Sequence, residues 1–61
     1  MPRAKSIERQ YKDKCAEAQR ELELAVIYFE DGALMTAADK AAQASTLLRE
    51  AGLLKKQAFG L

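Results

Sequence analysis

An all-α fold, arranged as an antiparallel two-helix hairpin, follows from three features of this chain. Apolar residues recur at steps of three and four along two long segments, helix-breaking residues stay at their ends, and one short turn separates them. Pro2 is the single proline, outside both segments. The three glycines, Gly32, Gly52 and Gly60, suit the end of one helix, the end of a second and a tail. The expected layout is one domain over residues 1–61, with a flexible N-terminus over 1–5, helix 1 over 6–31, helix 2 over 36–51, and a short third helix or tail over 53–59.

Helix 1 starts at Ser6, which with Glu8 and Arg9 after it makes an N-terminal start without a full capping box. Ile7, Tyr11, Cys15, Ala18, Leu22, Ala25 and Phe29 then mark one helical face. Of the charge pairs Glu8/Lys12, Asp13/Glu17 and Glu17/Glu21, only the first is favourable, so burial rather than surface ion pairing must hold this helix. Asp31-Gly32 ends it, because glycine takes the left-handed cap conformation at little cost.

Thr36 is the expected N-cap of helix 2, with Asp39 three residues later as a partial capping box. Ala37, Ala41, Ala44, Leu48 and Ala51 form its stripe, with Leu47 beside it. A bulky stripe on helix 1 over a small one on helix 2 fills space without voids, and the short link makes the helices antiparallel. Gly52 is expected to cap helix 2, with Leu53 folding back after it. Leu53, Leu54, Ala58 and Phe59 make up the short helix or tail.

The stretch "LELAVIYF", Leu22 to Phe29, holds seven apolar residues in eight positions, more than one buried face requires. Leu22, Ala25, Val26 and Phe29 fall on the face expected to meet helix 2. Leu24, Ile27 and Tyr28 point to the opposite half, where, with Leu34 at the turn, they form a second apolar surface expected to be a protein interface.

A chain of 61 residues hides only about 60% of its unfolded surface, and domains this small usually depend on a staple. Cys15 is the sole cysteine, which rules out an internal disulfide, and with no histidine a structural zinc site has too few ligands. Oligomerisation or a partner remains, completing the hairpin to a bundle. The same inventory argues against an enzyme: Cys15 lies on the inward stripe with no histidine to activate it, and there is no Gly-rich phosphate loop. No cofactor, metal or small-molecule substrate is expected. The carboxylates Glu21, Glu23, Glu30 and Asp31 lack the spacing of a calcium loop and read as a solvated face.

The net charge of +1 is unevenly spread. Residues 1–20 carry six basic and three acidic groups, 21–39 carry five acidic and no basic, and 40–61 carry four basic and one acidic, for totals of +3, −5 and +3. In an antiparallel hairpin the open end is therefore basic and the turn end acidic. Arg9, Lys12, Arg49, Lys55 and Lys56 are the candidate nucleic-acid contacts at that open end. A second explanation needs no ligand: in an antiparallel dimer the basic end of one hairpin lies beside the acidic end of the other. The charged start "MPRAKSIERQYKDK" has no following apolar core of a signal peptide, and eight apolar residues are too few to cross a membrane. With a lone unpaired cysteine, the expected location is the cytoplasm.

The stretch "LAVIYFEDGALMTAADKAAQASTLL" resembles one tetratricopeptide helix-turn-helix unit. Leu24-Ala25 supplies the motif's Leu-small pair, Tyr28 its aromatic, Gly32 its turn, Leu34 the residue after it, and Ala37 and Ala44 the small packing positions. Glu21 stands where the motif prefers a large apolar residue, Ala41 replaces an aromatic, and the closing proline is absent. The resemblance implies a protein- or peptide-binding role, and a lone unit that must dimerise or dock on something larger. In architecture the hairpin is also similar to Rop-type proteins, paired helical hairpins that bind RNA loops. The expected function is thus a small non-catalytic protein-interaction module, an adaptor, chaperone-like subunit or inhibitor. The alternative is a dimeric RNA-binding regulator.

Overall fold

The computed structural model describes residues 6–60, in which two helices, α1 over Ile7–Glu30 and α2 over Leu34–Phe59, pack antiparallel against each other. The N-terminus expected to be flexible lies outside the described residues.

Ser6 takes an extended conformation (φ −62°, ψ 158°), and its side chain accepts a hydrogen bond from the Arg9 N–H at 3.1 Å. One of the unpaired donors at the start of α1 is thereby satisfied. At the other end Gly32 has φ 80°, the Ala33 N–H donates to the Tyr28 carbonyl at 2.8 Å, and the Gly32 N–H donates to that of Phe29 at 3.0 Å. These two bonds form a Schellman cap, which reverses the chain within three residues.

Helix α2 departs from expectation at both ends. It begins at Leu34, with Ala33 as N-cap and no side-chain cap, so Thr36 lies inside the first turn. It then runs through Gly52 without a break, and Gly60 (φ 70°) is the residue that caps it, its N–H donating to the Lys56 carbonyl at 2.8 Å. There is accordingly no separate third helix over 53–59. A helix stopping at Ala51 would have left the first turns of α1 uncovered. Continued to Phe59, α2 brings that ring onto Tyr11, edge to face, with centroids 5.9 Å apart and planes at 83°.

The seam between the helices follows a seven-residue repeat. On α1 it comprises Tyr11, Lys14, Ala18, Glu21, Ala25 and Tyr28; opposite them stand the N-cap Ala33 and, on α2, Ala37, Lys40, Ala44, Leu47, Ala51, Leu54 and Ala58. Each of these is buried or half-buried. Ala37, Ala44, Ala51 and Ala58 recur every seventh residue, so the two backbones approach most closely along a row of methyl groups, as in a two-stranded antiparallel coiled coil. Two ion pairs bridge the seam, Lys14 Nζ to Glu50 Oε1 at 3.1 Å and Lys40 Nζ to Glu21 Oε2 at 3.5 Å.

Among the described residues only Ala18, Ala44 and Ala51 are fully buried. Three methyl groups are a very small core. The radius of gyration, 14.0 Å, exceeds the roughly 10.5 Å of a compact domain of this length, as befits a single layer of two helices.

A candidate protein interface on one face of the hairpin

Helix rotation about the seam decides which apolar residues remain exposed. The stripe expected to face α2 was Ile7, Tyr11, Cys15, Ala18, Leu22, Ala25 and Phe29; the structure keeps Tyr11, Ala18 and Ala25 in the seam but turns Leu22 and Phe29 out of it. On α2, Ala41 and Leu48 are likewise exposed, and Lys40 and Leu47 take the half-buried places. The displaced members of the two expected stripes, Leu22 and Phe29 of α1 and Ala41 and Leu48 of α2, therefore lie side by side on one flank of the hairpin.

There they form a shallow apolar groove of about 450 Å³, lined by Leu22, Ala25, Val26 and Phe29 of α1 and Leu34, Ala37, Ala38 and Ala41 of α2. No charged side chain lines it. Leu22 is 44% exposed, Val26 56%, Phe29 65% and Leu34 60%, values of surface rather than core side chains. Leu48, seven residues after Ala41, continues the same flank toward the open end, where Phe59 packs on Tyr11.

Of the interface residues expected from the sequence, only Leu34 belongs to this groove. Leu24 and Tyr28 are half-buried, Tyr28 within the seam, and Ile27 is exposed on the other side of α1. Leu24, Ile27 and Tyr28 remain neighbours along α1, but of the three only Ile27 is exposed. Leu22, Val26, Phe29 and Ala38 are the residues that expectation missed. Their signal was the seven-residue spacing of Ala37, Ala44, Ala51 and Ala58, which fixes the seam and leaves larger neighbours beside it.

The opposite flank is richer in polar residues, with Ile27 and Leu53 exposed among them. A smaller hollow there, about 310 Å³, is lined by Glu21, Gln43, Thr46 and Leu47. The Thr46 hydroxyl donates to the Ala42 carbonyl at 3.3 Å, and Glu21 Oε2, shielded from water, has no hydrogen-bond partner beyond the 3.5 Å ion pair with Lys40.

The five basic residues expected at the open end are all exposed there, but they do not share a face. Helical spacing sets Arg9 on the outer edge of α1, Arg49 and Lys56 on the outer edge of α2, and Lys12 and Lys55 on the apolar flank. Lys14 lies in the seam against Glu50. Hydrogen bonding to that carboxylate, and then its charge, raise the Lys14 pKa above the ordinary 10.5. The Tyr11 phenol is also raised above its ordinary 10.0, first by its hydrogen bond with the Cys15 side chain and next by that group's charge.

Cys15 is a half-buried free thiol. Among the described residues no cluster of His, Cys, Asp and Glu could hold a metal ion, and no helix is long and apolar enough to cross a membrane. Comparison with protein-family models, with curated proteins and with solved structures returns no match to this chain.

Proposed function

We propose that the protein is a small non-catalytic interaction module that binds another polypeptide through the apolar flank of its hairpin. The observation that carries this is the groove in which Leu22, Val26, Phe29 and Leu34 lie open to water beside a core of three alanines. Covering one such side chain is worth about 1.5–3 kcal/mol, so a partner supplies the burial that the hairpin lacks. The helix-turn-helix form is compatible with the tetratricopeptide-like reading, in which a lone unit cannot bury its apolar face by itself and must dimerise or dock on something larger. An adaptor, chaperone-like subunit or inhibitor acting in the cytoplasm fits this chemistry, with Cys15 remaining a free thiol. RNA binding draws less support, because the basic side chains spread over two outer edges and the apolar flank instead of forming one groove.

Photo-crosslinking from position 26, with position 46 on the polar flank as control, tests the proposal in cells expressing the chain. A discrete protein adduct from position 26 alone is the expected result. Adducts with RNA, or equal labelling from both positions, would overturn it.

A further inference from the structure

We infer that the occupant of the apolar flank is a second copy of this chain, reversed end for end, so that two hairpins close into a four-helix bundle. The inference rests on the apolar flank being an interaction surface, and it adds the identity and orientation of the partner.

Area is the first argument. Helix α2 has 26 residues, about 39 Å at 1.5 Å each, and two adjacent helices present a flank about 18 Å wide. Its footprint is then about 700 Å² per copy, or about 1,400 Å² for the pair, within the range of stable dimers. The hairpin thus offers one flank of the size that an identical flank would cover, uncharged in its groove near the turn and carrying Glu8, Lys12 and Lys55 only at the open end.

Self-complementarity is the second. The groove near the turn is walled by large residues, Leu22, Val26, Phe29 and Leu34, with an alanine floor of Ala37, Ala38 and Ala41. Toward the open end the flank carries Leu48, then Gly52, a position with nothing within 4 Å of a Cβ placed there. Reversal lays the bulky turn half of each copy over the flatter open half of the other. Packing in the same direction would set bulky residues against bulky residues.

Charge selects the same orientation. Glu23 and Glu30 border the flank near the turn, while Lys12 and Lys55 lie on it at the open end, with Glu8 beside Lys12. A reversed copy brings these lysines toward the partner's Glu23 and Glu30, which flank Val26 on the outer edge of α1. A copy in the same direction would stack the two acidic turns.

Light scattering on the purified full chain, with spin-label distances, tests this. The expected mass is twice the chain's 6.8 kDa, lost with Phe29→Glu and with Leu48→Glu but retained with Ile27→Glu on the other side. Spin labels at Asp31→Cys in a Cys15→Ser background should lie about 38 Å apart in the reversed pair, against under about 20 Å for hairpins packed in the same direction. The short distance would overturn the reversed orientation. A monomeric chain would overturn self-pairing, and would leave the interaction module intact if position 26 still crosslinks to a different protein. A dimer broken by Ile27→Glu and untouched by Phe29→Glu would overturn both.

Discussion

Glu21 and Lys40 meet across the helix seam, Oε2 to Nζ at 3.5 Å, at two positions of the seven-residue repeat that a coiled coil would ordinarily fill with apolar side chains. Their side chains are 20% and 27% exposed, and the Glu21 oxygen has no other partner. Such a pair loses in desolvation much of what it gains in attraction. The double variant Glu21→Leu/Lys40→Leu is expected to be as stable as the parent or up to about 2 kcal/mol more stable. Lys40→Leu alone should cost about 1–3 kcal/mol, because it strands the carboxylate. Chemical denaturation at one fixed protein concentration compares the three.

The alanine row sets how closely the helices approach, and Ala44 has no exposed surface at all. Ala44→Leu should push the helices apart and cost about 1–3 kcal/mol, although leucine is the better hydrophobe. Ala42→Leu, on the exposed outer edge, should change stability by less than about 0.5 kcal/mol. Thermal unfolding followed by circular dichroism separates the two.

Gly52 and Gly32 should respond oppositely to the same substitution. Gly52 sits within α2 with nothing within 4 Å of an added Cβ, so Gly52→Ala should stabilise by about 0.5–1 kcal/mol. Gly32 has φ 80° in the Schellman cap, and Gly32→Ala should cost about 1 kcal/mol. The melting temperatures of the two variants, compared at a protein concentration low enough to keep the chain monomeric, decide it.

Alkaline pH should loosen the open end. Lys14 and Tyr11 both have folded-state pKa values raised above the ordinary 10.5 and 10.0, so each binds its proton more tightly in the folded chain. Their contribution is fully present below those ordinary values and is lost as pH rises through the raised ones. Helicity should hold from pH 7 to about 10 and fall above it. Glu50→Gln removes the hydrogen-bonded anion that raises Lys14, and should flatten the part of the loss due to Lys14. A pH titration of the ellipticity at fixed temperature measures both curves.

Local chemistry determined much of this molecule. The Ser6 start, the Asp31-Gly32 stop, the two helices and their antiparallel sense follow from capping residues, periodicity and a short link, all readable along the chain. The course of α2 through Gly52 was not readable in that way. A glycine costs a helix interior only about 1 kcal/mol, and the packing of residues 53–59 on the first turns of α1, with Phe59 on Tyr11, outweighs it.

The rotation of each helix about its axis was decided only in three dimensions. Two overlapping stripes compete on α1, sharing Tyr11, Ala18 and Ala25. One continues through Leu22 and Phe29, the other through Lys14, Glu21 and Tyr28. Hydrophobicity favours the first, and it was the one expected inside. The structure packs the second, with Lys14, Glu21 and Tyr28 half-buried in the seam beside the shared Ala18 and Ala25, against a row of alanines spaced by seven on α2 whose small side chains let the helices come close. Large residues cannot occupy that gap, so Leu22, Val26 and Phe29 were displaced to the flank, where the candidate interface lies. Which apolar residues a chain shows to its partners depends on the smallest side chains, since these set the distance between its helices.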